Sequence, residues 1–539
     1  MERSRLVVAI IIFSLLIGCS NKTMVQDRVA ADEKLYAVNH HIMPSSHHMI
    51  KSREYVDPYQ VLELEKEDIP ILTYETVGDV AFDSTLFPEE YTDLPGVLTF
   101  RGNNYRTAPS YGYITPTSHT LHTEWSFRTN THHRWGGGAG WTGQPSIVTW
   151  EKDVLDMMNV DSEFKEQESF TEVIYGSLDG SVYFAELETG KLTRPPLKVG
   201  GPIKGSVSVD PRGYPLLYVG QGVPDQAPIG YRIYSLIDGS ELYFIEGMDP
   251  FAYRGWGAFD GAALINRESD QLVLGGENGL FYMANLHTEF NREKKSITVQ
   301  PEKIKTRYQV QGNHYPGIEN SVAVYRNIAY FADNGGSILA IDLTDQTPLF
   351  ALEGIDDTDA TIVIEEQDNR PVLYTGTEVD HQGSKGYCYI RKIDGLTGEV
   401  LWMIDYPAYS VPGVVGGMLA TPVVGKESID HLAIFTIARY QNVHSGLMIA
   451  VNKMTGEEEW RIEMPHYAWS SPVDVYTETG DAYLIQADSI GNLHLIEGTT
   501  GEMKDVINLG ANIEASPAVY NNHIIVASRG GSIFAIKVE

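Results

Sequence analysis

Apolar and polar positions alternate along most of this chain in short runs rich in Val, Ile, Tyr and Ala. Each run stops at a turn signal, the pattern of half-buried strands joined by tight turns. The pattern also repeats. Met448 to Trp460 reads MIAVNKMTGEEEW, Tyr389 to Trp402 YIRKIDGLTGEVLW, and Val182 to Arg194 VYFAELETGKLTR. Ile233 to Phe244 (IYSLIDGSELYF) and Leu493 to Asp505 (LHLIEGTTGEMKD) follow the same course. In each copy a strand runs into an Asp/Asn/Thr-Gly turn, where glycine tolerates positive φ, and a second strand leaves it. The turn glycines Gly190, Gly239, Gly398, Gly456 and Gly501 recur at about 45 to 58 residues, apart from one gap of about three units. Two degraded copies, Phe281 to Phe290 (FYMANLHTEF) and Ser337 to Phe350 (SILAIDLTDQTPLF), fill that gap.

A second motif runs in step with the first. Short apolar strands opened by Pro or a small residue precede most copies: Gln144-Pro145-Ser146, Thr421-Pro422-Val423, Ser471-Pro472-Val473 and Ser516-Pro517-Ala518. Proline suits the first residue of an inner strand, where no ladder donor is lost. Between the two motifs lie strands with tight hairpins, at Asp179-Gly180, Gly335-Gly336 and Gly530-Gly531. Four strands per unit make a propeller blade. The last unit, from Ala515, has three strands, and Leu121 to Thr129 (LHTEWSFRT) is a fourth-type strand with no blade of its own. Joined, they close a ring. The expected fold is all-β: an eight-bladed propeller of four-stranded repeats over residues 96–539, closed by an N-terminal strand in the C-terminal blade.

The A-x-D-x-x-T-G-x-x-x-W pattern resembles the repeat of the pyrroloquinoline-quinone (PQQ)-like propellers. That resemblance implies that Trp125, Trp402 and Trp460 dock between neighbouring blades. The family includes quinoprotein dehydrogenases and non-enzymatic lipoproteins, such as the propeller subunit of the outer-membrane β-barrel assembly machine. Phe100 to Thr107 (FRGNNYRT) is similar to the lead-in segment of bacterial lipoproteins with these repeats.

At the N-terminus, Arg3 and Arg5 precede a short apolar run ending Leu15-Leu16-Ile17-Gly18-Cys19, which reads as a signal peptide over residues 1–18. Leu-Ile-Gly-Cys resembles a bacterial lipobox, implying cleavage before Cys19 and its lipidation. The expected location is the cell envelope: the periplasmic face of an outer membrane in a diderm, or outside the cell membrane in a monoderm. Residues 19–95 then read as a polar tether with some local structure. Within it, His40 to Met49 (HHIMPSSHHM) has side chains suited to copper or zinc, although an ordinary flexible linker is the plainer reading. Cys388 is the one other cysteine, so the mature chain has no internal disulfide to form. A formal charge of −32 argues against nucleic acid as a partner.

Candidate chemistry gathers beside the inner-strand motif, which lines a propeller's channel. Read blade by blade, that position gives Gln144, Lys204, Asp260, Glu319 with Asn320, Asp359, Thr421, Ser471, and Glu514 with Ser516. Lys204 could pair with Asp260 or Glu319 as a structural network. Two Gly-rich aromatic loops lead into inner strands: one carries Trp135 and Trp141, the other Arg254 and Trp256. They offer stacking faces and donors to a planar ligand, a sugar or a peptide, or else plug the channel. The family resemblance would cast Asp260, Glu319 and Asn320 as base and calcium ligands around PQQ, but the Cys-Cys pair common in those enzymes is missing from this sequence. No G-x-S-x-G, H-E-x-x-H or P-loop motif occurs, while paired carboxylates leave sugar cleavage open. The leading expectation is a non-catalytic, lipid-anchored scaffold or ligand-binding module without a cofactor. It would act as a monomer or a subunit of a complex, meeting an envelope protein or a small ligand. The alternative is a quinoprotein-type oxidoreductase using PQQ and calcium.

Overall fold

Each repeat copy folds as the middle of an antiparallel sheet, and eight such sheets form a β-propeller. The computed structural model describes residues 60–539 except 65, 67, 83, 141, 142 and 226. Cys19, the signal peptide and the His40–Met49 segment lie outside the described residues. In blade 1 the strands Ser146–Glu151, Ser169–Gly176, Ser181–Glu186 and Leu197–Lys198 run from the axis outward. Blades 2 to 7 begin at the inner strands Ser208–Val209, Leu264–Asn266, Ala323–Tyr325, Val363–Gln367, Val423–Val424 and Val473–Tyr476. Blade 8 takes its first three strands from Ala518–Tyr520, His523–Ser528 and Ser532–Val538, and its fourth from Leu121–Arg128. The expected closure is therefore present, with Ala535 opposite Trp125.

The repeat tryptophans dock on the next blade's turn. Trp125 Nε1 donates to Leu187 O at 2.7 Å, Trp402 Nε1 to Lys453 O at 3.0 Å, and Trp460 Nε1 to Gly498 O at 3.1 Å. This explains the glycine of each turn twice over. Gly501 has φ +73°, and a Cβ there would lie 2.8 Å from the Trp460 ring. At Gly398, in the turn that follows the Ser337–Phe350 copy, Phe350 takes the ring's place.

The inner strands are tied to one another by their hydroxyl residues. Ala262 N donates to Ser321 Oγ (2.9 Å), Ser321 N to Thr361 Oγ1 (3.1 Å), and Thr361 N to Thr421 Oγ1 (3.2 Å). The course continues from Thr421 N to Ser471 Oγ (2.9 Å), from Ser471 N to Ser516 Oγ (3.2 Å), and from Gln144 N to Ser206 Oγ (2.9 Å). Thr421, Ser471 and Ser516, read from sequence as a polar ring at the channel, are thus seam residues.

One end of the channel is sealed by residues 96–111. Leu98 O accepts from Val209 N of blade 2, Asn104 O from Val324 N of blade 4, and Tyr105 O from Ile364 N of blade 5. Ser110–Tyr111 pairs with blade 8. Arg101 and Arg106, 1% and 0% exposed, adopt left-handed backbone conformations. Arg106 donates to Val322 O, Ala262 O and Phe100 O, and Arg101 to Pro472 O and Arg106 O. The Phe100–Thr107 segment is therefore a plug whose guanidinium groups satisfy carbonyls that strand pairing leaves over.

Two longer connections are ordered. The acidic insertion near Asp153 to Thr171 holds two short helices, Lys152–Leu155 and Ser162–Lys165. These bury Val154, Leu155 and Phe164 in the core. Near Asn291 to Tyr308, the Glu289–Asn291/Ser296–Thr298 hairpin is followed by blade 3's fourth strand, Glu302–Val310. That strand carries an added partner, Leu72–Val77, on its outer edge. The last part of the stretch read as tether thus lies on the propeller, and Phe87 and Tyr91 join the core.

Candidate functional site

The plug contacts residues that follow each inner-strand hydroxyl, and the candidate polar residues precede it. They therefore gather at the opposite mouth. Lys204, from the start of blade 2, lies 7% exposed in an ion pair with Asp260 of blade 3. Its Nζ is also 3.4 Å from Glu319 Oε1 and 4.0 Å from Glu277 Oε1. Oxygens of Asp260, Glu277 and Glu319 all lie within 4.8 Å of one another. Burial opposes the lysine's charge, but the three carboxylates outweigh it and hold Lys204 well above its usual range. Burial pushes Asp260 up to about 6, and burial together with Glu319 raises Glu277 well above the carboxylate range.

Asn334, in the hairpin of blade 4, joins this cluster to a second. Its Nδ2 reaches Glu319 Oε2 at 3.2 Å and Asp359 Oδ1 at 3.4 Å, and its Oδ1 accepts from Arg254 Nη1 at 2.5 Å. Beyond it, Asp357, Asp359, Glu378, Asp380 and Glu514 line a cavity of about 390 Å³. Val414, Val415, Leu419, Tyr467 and Trp469 complete much of its wall. Burial raises Asp357, Asp359 and Glu378 well above their ordinary values; Asp359 adds to the shift of Asp357 and Glu378, and Glu319 to that of Asp359. Glu514 is raised by burial against the pull of Arg529, whose Nε is 3.5 Å away. Like charges this close and this dry share protons or attract a cation.

The site residues expected from sequence divide accordingly. Lys204, Asp260 and Glu319 converge, and Arg254 reaches the same network through Asn334. Asn320 does not join them: its Nδ2 donates to Ala332 O and Thr358 O, and its Oδ1 accepts from Ala332 N, so it binds blade 4 to blade 5. Trp256 is half-buried in the loop that carries Arg254. Trp135 is half-buried beneath Arg134, in a loop folded against blade 8 through Gly137 and Gly530, and it does not line the cavity. Trp141 lies outside the described residues. Sequence reasoning missed Glu277, Asp357, Glu378 and Trp469. The run Asp356-Asp357-Thr358-Asp359, just ahead of an inner strand, was an available signal for one of them. Glu378 follows a middle strand and offered none.

No family model matches the chain, and no curated protein matches it in sequence. Solved structures do match in shape. The quinohemoprotein alcohol dehydrogenase of Comamonas testosteroni is 12% identical, with TM-score 0.53, over 82% of this chain and 80% of that one. The corresponding enzyme of Pseudomonas putida HK5 is also 12% identical, with TM-score 0.54 and the same coverage. BamB from Moraxella catarrhalis is 14% identical, with TM-score 0.44, over 77% of this chain and 97% of that one. At these identities the likeness is one of fold, and the chain has the eight-bladed β-propeller architecture.

Proposed function

We propose that this chain is a lipid-anchored propeller of the cell envelope that binds a cationic ligand at its acid-lined mouth without transforming it. The observation that carries the reading is the imbalance of buried charge. Asp357, Asp359 and Glu378 line the cavity, whereas Lys204 is held on the far side of Asn334 by Asp260 and Glu319. Sealing of the other end by the plug supports this mouth as the route of entry. The connections near Asp153 to Thr171 and Asn291 to Tyr308 are spent on core packing and strand pairing, which favours ligand binding over scaffolding.

The dehydrogenase alternative meets a chemical obstacle. PQQ is a flat tricarboxylate, and it needs cations and hydrogen-bond donors around its rim. Here it would meet carboxylates, and the amide of Asn320 is committed to backbone. These residues do not fit that cofactor. Calcium alone is a different case, because hard cations take carboxylate oxygens.

Thermal unfolding of the purified chain with a panel of ions tests this reading. Calcium or alkylammonium salts should raise the melting temperature, and citrate or PQQ should not. Dye-linked alcohol oxidation on adding PQQ and calcium would overturn the non-catalytic part. Labelling of the expressed chain with radioactive palmitate, lost in Cys19→Ser, is the result expected for the anchor; an unlabelled parent chain would rule the anchor out.

A further inference from the structure

We propose that the mouth takes a small organic ammonium ligand, its charged head among Asp357, Asp359 and Glu378 and its apolar body against Trp469. This rests on the cation-binding reading above and names the class of ligand. The first argument is a comparison within the mouth. It contains two carboxylate groups side by side, joined by Asn334, and the first already holds a primary ammonium, the Lys204 Nζ. The second faces the cavity with buried oxygens left over. Glu378 is 2% exposed and Asp357 9%, and among the described residues neither Glu378 Oε1 nor Asp357 Oδ1 has a hydrogen-bond partner. A buried acceptor left unmade costs about 1–3 kcal/mol, and more when charged. An ammonium group supplies three donors and one positive charge at once.

The second argument is size and wall chemistry. The cavity measures about 390 Å³, on the order of ten times the space of a water molecule and within the range of small-molecule sites. A bare ion would leave most of it to water. Tyr467 and Trp469 lie in the wall with ring centroids 5.7 Å apart and planes at 54°, and Val414 and Leu419 add apolar surface. Aromatic faces beside carboxylates favour a cation with hydrocarbon attached. A divalent metal is the rival occupant, since Asp357, Asp380 and His381 also offer atoms within 4.8 Å of one another.

Calorimetric titration of the full chain in detergent separates these outcomes. The probes are 2-phenylethylammonium, its neutral counterpart 2-phenylethanol, calcium and zinc. Saturable binding of the ammonium but not the alcohol is expected. Glu378→Gln and Asp359→Asn should each weaken it about tenfold or more, the equivalent of one charge-assisted hydrogen bond, and Trp469→Leu should weaken it several-fold. Both carboxamide variants relieve buried repulsion, so folding survives; the ammonium–alcohol comparison needs no variant at all. Equal binding of the alcohol, or indifference to both carboxamides, overturns the proposal. Binding of calcium or zinc without the ammonium overturns the ligand class but leaves the cation-binding reading intact. If no probe binds, both fall.

Discussion

Lys204 shows how much one side chain can hold together. Its ammonium stands between carboxylates from blades 3 and 4, so removing it strands Asp260, Glu277 and Glu319 in a buried site. Lys204→Met should destabilise the fold by about 3–5 kcal/mol at neutral pH, read from the shift in denaturant midpoint. Because the three carboxylates keep metal-like spacing, added zinc should restore part of the loss in the variant and leave the parent unchanged. The raised carboxyls also set a pH trend. Burial lifts Asp260 to about 6 and Asp333 to about 7, against about 3.9 in an unfolded chain. Each therefore binds its proton more tightly when folded. Its contribution to stability is complete below about pH 4 and fades as pH rises through 6 to 7. Unfolding free energy should fall between about pH 4 and pH 7, and Asp333→Asn should flatten part of that slope in denaturant melts at stepped pH.

Among the elements, the repeat was legible because its turn and its tryptophan are two halves of one contact between blades. Gly501→Ala places a methyl against the Trp460 ring in a left-handed turn, whereas Gly510→Ala, at φ +84° with nothing within 4 Å, meets conformational strain alone. The second change should cost about 1 kcal/mol and the first about 1–3 kcal/mol more. Chemical denaturation of the two variants side by side isolates the packing share. The site was less legible for a physical reason. Lys204, Asp260 and Glu319 each stand two residues before the seam position, Ser206, Ala262 and Ser321, so counting along the repeat finds them. Glu277 and Glu378 follow middle strands, and Trp469 and Asn334 lie in loops whose lengths differ from blade to blade, so no periodicity points to them. The Trp135 loop has the composition of a ligand clamp and folds against blade 8, a placement that composition does not display. Asn320 stands beside Glu319, yet its amide is spent on backbone, which a sequence does not display.

For the whole molecule, the plug and the closing strand act on the ring together. Arg106 gathers carbonyls from blades 3 and 4, so Arg106→Met leaves them orphaned, at about 1–3 kcal/mol each. The amides of Val324 and Ile364, which donate to the plug, should then exchange hydrogen faster than those of blade 7, a difference that exchange mass spectrometry can locate. The pairing of Leu121–Arg128 with Ser532–Val538 has a further consequence in time. A chain emerging from N- to C-terminus shows its first propeller strand long before that strand's partner exists. Until the last blade arrives, one sheet edge stays open and Trp125 has only half of its setting. An interrupted chain keeps that open edge permanently, visible to proteases and to any strand it meets. Ring closure thereby works as a check on completeness: only a chain translated through its last strand can hide the edge it exposed first.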